Sequence, residues 1–582
     1  MSQEQELEIM RHSASHVMAE AMLSIFPDAK FAIGPAIEDG FYYDFDLPRT
    51  LTPDDLPVIE KKMGEIVKAN LPFKHSEISK DEAKKLFASQ PYKLELIEEL
   101  PDDKVGIYEQ GKFIDLCKGP HVKSTGEVKA FKLTSIAGAY WRGDEHNKML
   151  QRIYGLAFNT QKELDDYQAW QEEIKKRDHR KIGKDLDLFI FTELVGKGLP
   201  LYTEKGSVIR RELERFVVDE ELKRGYKHVY TPDIANVALY KMSGHYPYYK
   251  DTMYPVMKVD EEELILRPMT CPHHYQYYAS KPRSYRELPF RIAELAKQYR
   301  YEKSGELTGL SRVRLFCLAD GHIICTKEQA VDEINGALDL IEYITGMLGL
   351  KKGEDYRYRL SLGDRKDTKK YFKDDAAWDY AENVLRSVLT NRKAVFFEAE
   401  NEAAFYGPKI DIQMKNVLGK EETAFTTQYD FVGPKRFSLT YIDSDGQEKE
   451  PIVIHRSSIG AIERTMAFLI EHYAGAFPLW LSPVQVKIIP ISDRHNEHAM
   501  KVAEEMKSHG IRAEIDDRSE RMNQKIRQAQ MEKIPYMAVI GDKEAADNTV
   551  SVRKRNNEQL PAQPLSSFIE MLTEEIAKKT IS

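Results

Sequence analysis

Cys271, His322 and His455 are the residues whose types together could do the most specific chemistry. Each sits in its own block: RPMTCPHH at 267–274, LADGH at 318–322 and IHR at 454–456. One thiolate and two imidazoles make a zinc-ligand set with a fourth position left open, as a catalytic or substrate-binding zinc requires. Between them lie arginine-rich blocks, with Arg300 in YRYE, Arg312 in RVR and Arg464 in GAIER. An enzyme that activates a carboxylate with ATP must neutralise charge growing at the α-phosphate. It does so with fixed arginines and usually a divalent metal. Arg300 and Arg464 are candidates for that clamp. An isolated arginine is far more often a surface ion-pairing residue, but these sit inside apolar strand and helix segments near turn glycines. Converged, the two sets would grip a substrate on a metal beside a nucleotide.

A second set lies near the N-terminus. His12 and His16 are four apart on a helical pattern, so they share a face. Cys117 and His121 flank the turn KGP. By spacing alone, HxxxH with CxxxH is a good zinc site.

The elements that must position these residues can be read from periodicity. Ile9, Val17, Met18, Met22 and Leu23 predict a helix over 1–26 that Pro27 ends. Residues 31–46 alternate around Gly34, Pro35 and Gly40, a hairpin pattern. A charged helix is expected over 55–69, a mixed sheet over 106–155 and a strongly polar helix over 161–180. An amphipathic helix capped by Ser207 should stop at Gly225 and continue as a strand into Pro232. Strands and loops dominate 254–325, a helix follows over 331–350, and 392–442 is strand-rich. A buried helix opens at Gly460 and ends at Gly475. After a Pro-punctuated linker at 477–485, strand and helix alternate through 541, which predicts a small α/β domain with a largely parallel sheet.

The 582 residues suffice for about three or four domains. With 85 basic and 94 acidic residues the net charge is −9, so an RNA partner would be held by local patches. The four cysteines, Cys117, Cys271, Cys317 and Cys325, have no disulfide-framework spacing. No signal peptide and no apolar run of membrane-spanning length is legible, which predicts a cytoplasmic protein without a membrane partner.

The order helix–strand–Pro232, then YRYE and RVR, then GAIER resembles the three motifs of class II aminoacyl-tRNA synthetases. RPMTCPHH, QYRYEKSG (298–305), AFYGPKID (404–411) and IHRSSIGAIERT (454–465) look specifically like the threonyl-tRNA synthetase family, and the match runs over nearly the whole chain. The resemblance implies an α+β multidomain protein. It would comprise an α+β editing domain (1–160), a helical connector (161–183), a class II antiparallel-sheet catalytic core (184–478) and an α/β anticodon-binding domain (479–582). It implies ATP-dependent activation of L-threonine, transfer to tRNA(Thr) and hydrolysis of mischarged seryl-tRNA(Thr) by a homodimer. One zinc per subunit, on Cys271, His322 and His455, and magnesium with ATP are expected.

The same resemblance implies roles residue by residue. Arg300, Glu302, Arg312, Lys409 and Arg464 match nucleotide contacts. Asp320, Tyr406 and Gln428 match the threonine pocket. His245, in SGHYPYYKDTMY (243–254), matches the base proposed for the transfer step, which a neutral imidazole suits near pH 7. His12, His16, Lys93, Asp115, Cys117 and His121 match the editing pocket, which in this family is taken to use a bound water without metal. Editing has a motive: serine keeps the hydroxyl that zinc reads and lacks only a methyl, a difference of ~1–3 kcal/mol. Glu544 and Arg553 match residues that read anticodon bases on their edges.

Some positions depart from the family pattern. Leu318 stands where Gln is frequent, and the 423–426 segment Thr-Ala-Phe-Thr lacks the usual Gln and Gly, which bears on an ATP-side contact. Cys317 is expected to touch the pocket and Cys325 to lie in the core. With His12 so near the start, the N-terminal ubiquitin-like domain that many members of the family carry is not expected before it. The rival readings are another class II synthetase, of seryl or prolyl type, and a non-catalytic RNA-binding regulatory paralogue.

Overall fold

Val17, Met18, Ala21 and Met22 fall on one side of a helical repeat, and all are fully buried. They anchor α1 (Gln3–Ile25), the first element of a computed structural model that describes residues 3–581. The chain divides into two compact units, residues 1–173 and 174–582.

In the first unit, β1 (Gly40–Asp46) is followed by α2 (Asp55–Ala69), β2 (Lys74–Ser79), α3 (Pro91–Glu99), β3 (Lys104–Gln110), β4 (Phe113–Leu116), β5 (Ala130–Tyr140) and β6 (Met149–Phe158). The expected mixed sheet over 106–155 is two separate antiparallel sheets. One joins β2, β3 and β4; the other runs from Lys30–Phe31 through β1 and β6 to β5. Helices α1 and α2 cover the second sheet, with Phe41, Phe45, Ile59 and Met63 in the shared core. The polar helix expected over 161–180 is two helices, α4 (Gln161–Arg177) and α5 (His179–Asp185), the second capped by Asp178, whose side chain accepts the Arg180 N–H.

In the second unit, α6 (Glu204–Lys223) starts earlier than expected. Thr203, not Ser207, is its cap: the Thr203 hydroxyl accepts the Gly206 N–H at 3.2 Å, which leaves Ser207 inside the first turn. There follow α7 (Cys271–Ala279), β7 (Phe290–Tyr299), β8 (Leu315–Cys325), α8 (Ala330–Met347), β9 (Lys409–Lys415), β10 (Glu421–Asp430), β11 (Ile452–Ala461) and α9 (Ile462–His472). They build an eight-stranded sheet ordered Lys227–His228, β7, β8, β11, β10, β9, Tyr356–Ser361, Phe396–Ala399. The six central strands pair antiparallel, and only the two edge pairings are parallel. Gly460 closes β11 instead of opening the helix. Its φ of +70° and the 2.3 Å approach of the Ala424 carbonyl to where a Cβ would stand leave room only for glycine.

The three strands expected through 541 pair in parallel, and two further strands that pair antiparallel make the C-terminal sheet mixed. β12 (Val486–Pro490), β13 (Ala513–Ile515) and β14 (Tyr536–Ile540) are parallel, linked by α10 (Asn496–Ser508) and α11 (Met522–Met531). After the six-residue α12 (Asp542–Asp547), β15 (Thr549–Lys554) returns antiparallel to β14, because the connection is too short for a crossover. α13 (Leu565–Lys578) covers the sheet with α10. Among the described residues no helix is long and apolar enough to cross a membrane.

Candidate active site

Three elements bring the opening residues together. Cys271 begins α7, His322 lies on β8, and His455 lies directly opposite it on β11. One donor atom from each lies within 4.8 Å of the others, and all three residues are buried. The outward nitrogens are already engaged. His322 Nδ1 lies 2.7 Å from His274 Nδ1, and His274 Nε2 lies 3.2 Å from Glu294. His455 Nε2 lies 2.9 Å from Asp430, which also accepts the Tyr275 hydroxyl at 2.7 Å. These relays to carboxylates set each tautomer, so His322 offers Nε2 and His455 offers Nδ1 inward. Burial pushes the Cys271 thiol up and the His322 imidazole down, which favours the neutral form of each. One soft thiol and two oriented imidazoles fit zinc, which would itself draw off the thiol proton.

Asp320 lies beside this set, its Oδ1 3.9 Å from His322 Nε2. Tyr406 stacks on His455 with ring centroids 4.8 Å apart and donates to Gln428 at 2.7 Å. His245 is buried. Its Nδ1 lies 2.8 Å from Ser243 Oγ, and its Nε2 has no partner among the described residues. Burial, with the neighbouring His455, pushes its pKa down to about 3.

A cavity of about 220 Å³ opens on the same sheet, lined by Arg300, Glu302, Arg312, Gln428, Ser457 and Arg464 among others. Arg300 lies over the Phe316 ring at 5.0 Å and forms no salt bridge among the described residues. Arg464 donates to the backbone carbonyls of Ser311 and Thr423, at 3.2 and 2.8 Å. Burial depresses both guanidinium pKa values, and for Arg300 the charge of Arg464 adds to it. Two arginines that face one cavity and form no salt bridge among the described residues can bind an anion. Arg312 is turned onto Glu302 at 2.8 Å. Lys409 pairs with the buried Asp411 at 3.0 Å and does not line the cavity. Leu318, Thr423, Ala424 and Thr426 line it; Cys317 does not. Strand alternation sends Phe316 and Leu318 to the cavity face and turns Cys317 into the core behind, which corrects the expected pocket contact. Cys325 is in the core. His179 stiffens the loop beneath: Nδ1 meets Glu471 at 2.6 Å and Nε2 accepts the Leu310 N–H at 3.1 Å.

In the first unit, one donor atom from each of His12, His16, Cys117 and His121 falls within 4.8 Å of the others. The Cys117 sulfur lies 3.4 Å from both His12 Nε2 and His121 Nε2. Burial pushes the Cys117 pKa up to about 11 and depresses all three histidines. Lys93 and Asp115 form a buried ion pair, and Tyr43 donates to Asp115 at 2.6 Å while accepting from Lys93 at 3.1 Å. A cavity of about 450 Å³ opens beside His12, Gly119 and Pro120.

At the C-terminus, the Glu544 carboxylate accepts the Gly541 N–H at 3.0 Å and the Ser551 hydroxyl at 2.7 Å. It therefore caps α12, so both of these bonds are made within the domain itself. Arg553, two residues from Ser551 on β15, shares that face and has no side-chain bond among the described residues.

Comparison with known proteins gives three family matches: tRNA synthetase class II core domain (G, H, P, S and T) over 254–473, anticodon binding domain over 485–575, and threonyl and alanyl tRNA synthetase second additional domain over 105–154. A threonine–tRNA ligase from a Geobacillus species is 50% identical over 576 residues, 98% of this chain and 89% of that protein. The chain belongs to the threonine–tRNA ligase family. Another such ligase, from Streptococcus suis, is 51% identical over 579 residues. Among solved structures, the RNA binding domain of threonyl-tRNA synthetase from Cryptosporidium parvum is 36% identical with a TM-score of 0.65. That match covers 68% of this chain and 98% of the other. A threonyl-tRNA synthetase from Aeropyrum pernix is 28% identical with a TM-score of 0.61, covering 69% and 96%.

For a member of this family, sequence reasoning missed the residues that orient the site: His274, Glu294, Asp430, Tyr275, Gln298 and Tyr43. HH after Cys271 and the DF of QYDF (428–431) are visible in the sequence, but only the seating of α7 brings His274 to His322, and only the pairing of β10 with β11 brings Asp430 to His455.

Proposed function

We propose that this chain is a threonine–tRNA ligase that activates L-threonine with ATP, transfers it to tRNA(Thr) and hydrolyses mischarged seryl-tRNA(Thr). The observation that carries this reading is the convergence of Cys271, His322 and His455 on one sheet face with the Arg300–Arg464 cavity.

The two arginines hold the triphosphate and stabilise the charge that grows as the threonine carboxylate attacks the α-phosphorus and pyrophosphate leaves. Magnesium accompanies the ATP. Cys271, His322 and His455 would hold one zinc per subunit. When bound, zinc supplies a Lewis acid for the amino and hydroxyl groups of threonine, a set that valine cannot complete. Asp320 accepts a hydrogen from one of those groups, and Tyr406 with Gln428 closes the pocket wall. In the second step a ribose hydroxyl of the tRNA attacks the carbonyl and AMP leaves. His245, neutral and with a free Nε2, takes the hydroxyl proton. Glu302 and Arg312 sit on the adenine side, and Lys409 reaches the nucleotide on leaving Asp411. In the first unit, His12, His16, Cys117 and His121, with Lys93 and Asp115, position water on the serine ester. Arg553 and Glu544 meet anticodon bases. Tyr230 and Ile234, exposed beside Pro232, supply apolar surface for a homodimer, and four reduced thiols suit a cytoplasmic location.

Threonine-dependent exchange of pyrophosphate into ATP tests the reading. Exchange that threonine stimulates and valine does not is expected; no threonine-dependent exchange would overturn it.

A further inference from the structure

Gln298 is a polar side chain only 2% exposed on β7. Its carboxamide nitrogen donates to Thr270 Oγ at 3.1 Å and to Asp320 Oδ2 at 3.3 Å. Both partners are themselves buried. Thr270 immediately precedes Cys271, and Asp320 is two residues from His322. The amide thus ties together the two segments that deliver two of the three converging donors. Its orientation is set by the network: turned over, the carbonyl oxygen would face the Asp320 carboxylate, acceptor against acceptor.

Two consequences follow from that orientation. First, the Asp320 carboxylate is pinned by one oxygen. Oδ2 is bound to Gln298, and Oδ1 is left on the side of His322 Nε2, 3.9 Å away. A free aspartate carboxylate rotates readily about its last torsion; this one is held by Gln298, with the neighbouring Thr270 hydroxyl beside it, so that Oδ1 stays on the side of the donor set. Second, Gln298 Oε1 is buried with no hydrogen-bond partner among the described residues. Folded proteins rarely leave such an acceptor unpaired, and where they do the site usually has another use for the group. An apolar residue of the same length would fill the space without that cost.

We infer that Gln298 is a positioning residue for threonine selection, acting by fixing the carboxylate of Asp320. The inference rests on the reading of Asp320 as the acceptor of a substrate hydrogen. It makes Gln298 responsible for affinity toward the amino acid and not toward ATP, whose cavity it does not line.

The test is a double-mutant cycle on the full-length, zinc-loaded chain. Gln298→Met conserves volume and removes the amide; Asp320→Asn removes the carboxylate charge. Gln298→Met should raise the threonine KM in pyrophosphate exchange roughly tenfold or more, the loss expected for a hydrogen bond to a charged group. The ATP KM, zinc content by metal analysis and melting temperature should stay close to those of the parent. Gln298→Glu, nearly isosteric, should do more damage by setting a second carboxylate against Asp320. In the Asp320→Asn background, Gln298→Met should add little. If Asp320→Asn alone leaves threonine affinity intact, the role assigned to Asp320 fails. If Asp320→Asn weakens threonine but Gln298→Met does not, or the two effects simply add, the inference about Gln298 is overturned. Loss of zinc or of folding in Gln298→Met would likewise overturn it, in favour of a purely structural role.

Discussion

His322 and His455 face each other across β8 and β11 with ring centroids 4.6 Å apart and planes at 80°. Such a pair needs two different anchors to present one nitrogen each to a common point. His322 is anchored through His274 to Glu294, and His455 directly to Asp430.

Asp430→Asn should therefore loosen zinc without touching a ligand. Replacing a carboxylate behind a ligating histidine typically lowers metal affinity about 10–100-fold. Competition with a chromophoric chelator should reveal that drop, and excess zinc should restore threonine-dependent exchange. Zinc affinity equal to that of the parent would mean that Asp430 does not set the His455 tautomer.

The Arg300–Arg464 cavity sets activity against stability. Both guanidinium pKa values are depressed by burial, and Arg300 also by the charge of Arg464, so keeping both groups charged here costs stability. Arg464→Met should lower kcat for exchange by about 10²–10³-fold, the usual effect of losing a group aimed at transition-state charge. The same substitution should leave thermal stability equal or higher. A large fall in melting temperature would show that Arg464 acts mainly by holding Ser311 and Thr423.

The central arrangement was legible because Cys271, His322, His455, Arg300 and Arg464 each lie in a block whose residue types are unusual by themselves. Gln298 was not legible: in AKQYRYE it reads as one more polar residue in an alternating strand, and only the pairing of β7 with β8 places it against Asp320. Cys317 failed for the related reason that a single step along β8 reverses the face. Thr203 was passed over for Ser207 because both are good caps, and the choice depends on where the Asp187–Leu188 carbonyls receive the threonine hydroxyl. The three parallel strands through 541 are legible from strand–helix–strand alternation, which says nothing about how the next strand returns after a short helix.

Lys93 and Asp115 form an ion pair whose side chains are each only 4% exposed. Removing one partner of such a pair leaves a charge without water or counter-ion. Lys93→Met should lower the unfolding free energy of the first unit by about 3–5 kcal/mol. Adding Asp115→Asn should recover much of it, since Tyr43 can still bond the amide. Denaturant unfolding measures both. A loss under 1 kcal/mol for Lys93→Met would mean that the pair is hydrated in solution. In seryl-tRNA deacylation, His12→Ala and Cys117→Ala should both let the mischarged product accumulate.

His245 connects the catalytic proposal to acid stability. Its folded pKa is pushed down to about 3, first by burial and then by the charge of His455, against an ordinary value of 6.5. The unfolded chain therefore binds a proton that the folded chain refuses in the window between those values. The neutral imidazole's contribution is fully present above pH 6.5 and is lost progressively as the pH falls below it. At pH 5 the gap of 1.5 units below the ordinary value is worth about 2 kcal/mol. His245→Gln, which cannot titrate, should be more resistant than the parent to the change from pH 7.5 to pH 5 by about that amount, read from the denaturant transition of the second unit. The same variant should keep pyrophosphate exchange and slow transfer to tRNA, because activation does not need the base and transfer does. Equal acid sensitivity in the two proteins would show that the buried His245 is reached by solvent, and equal transfer rates would remove it from the second step.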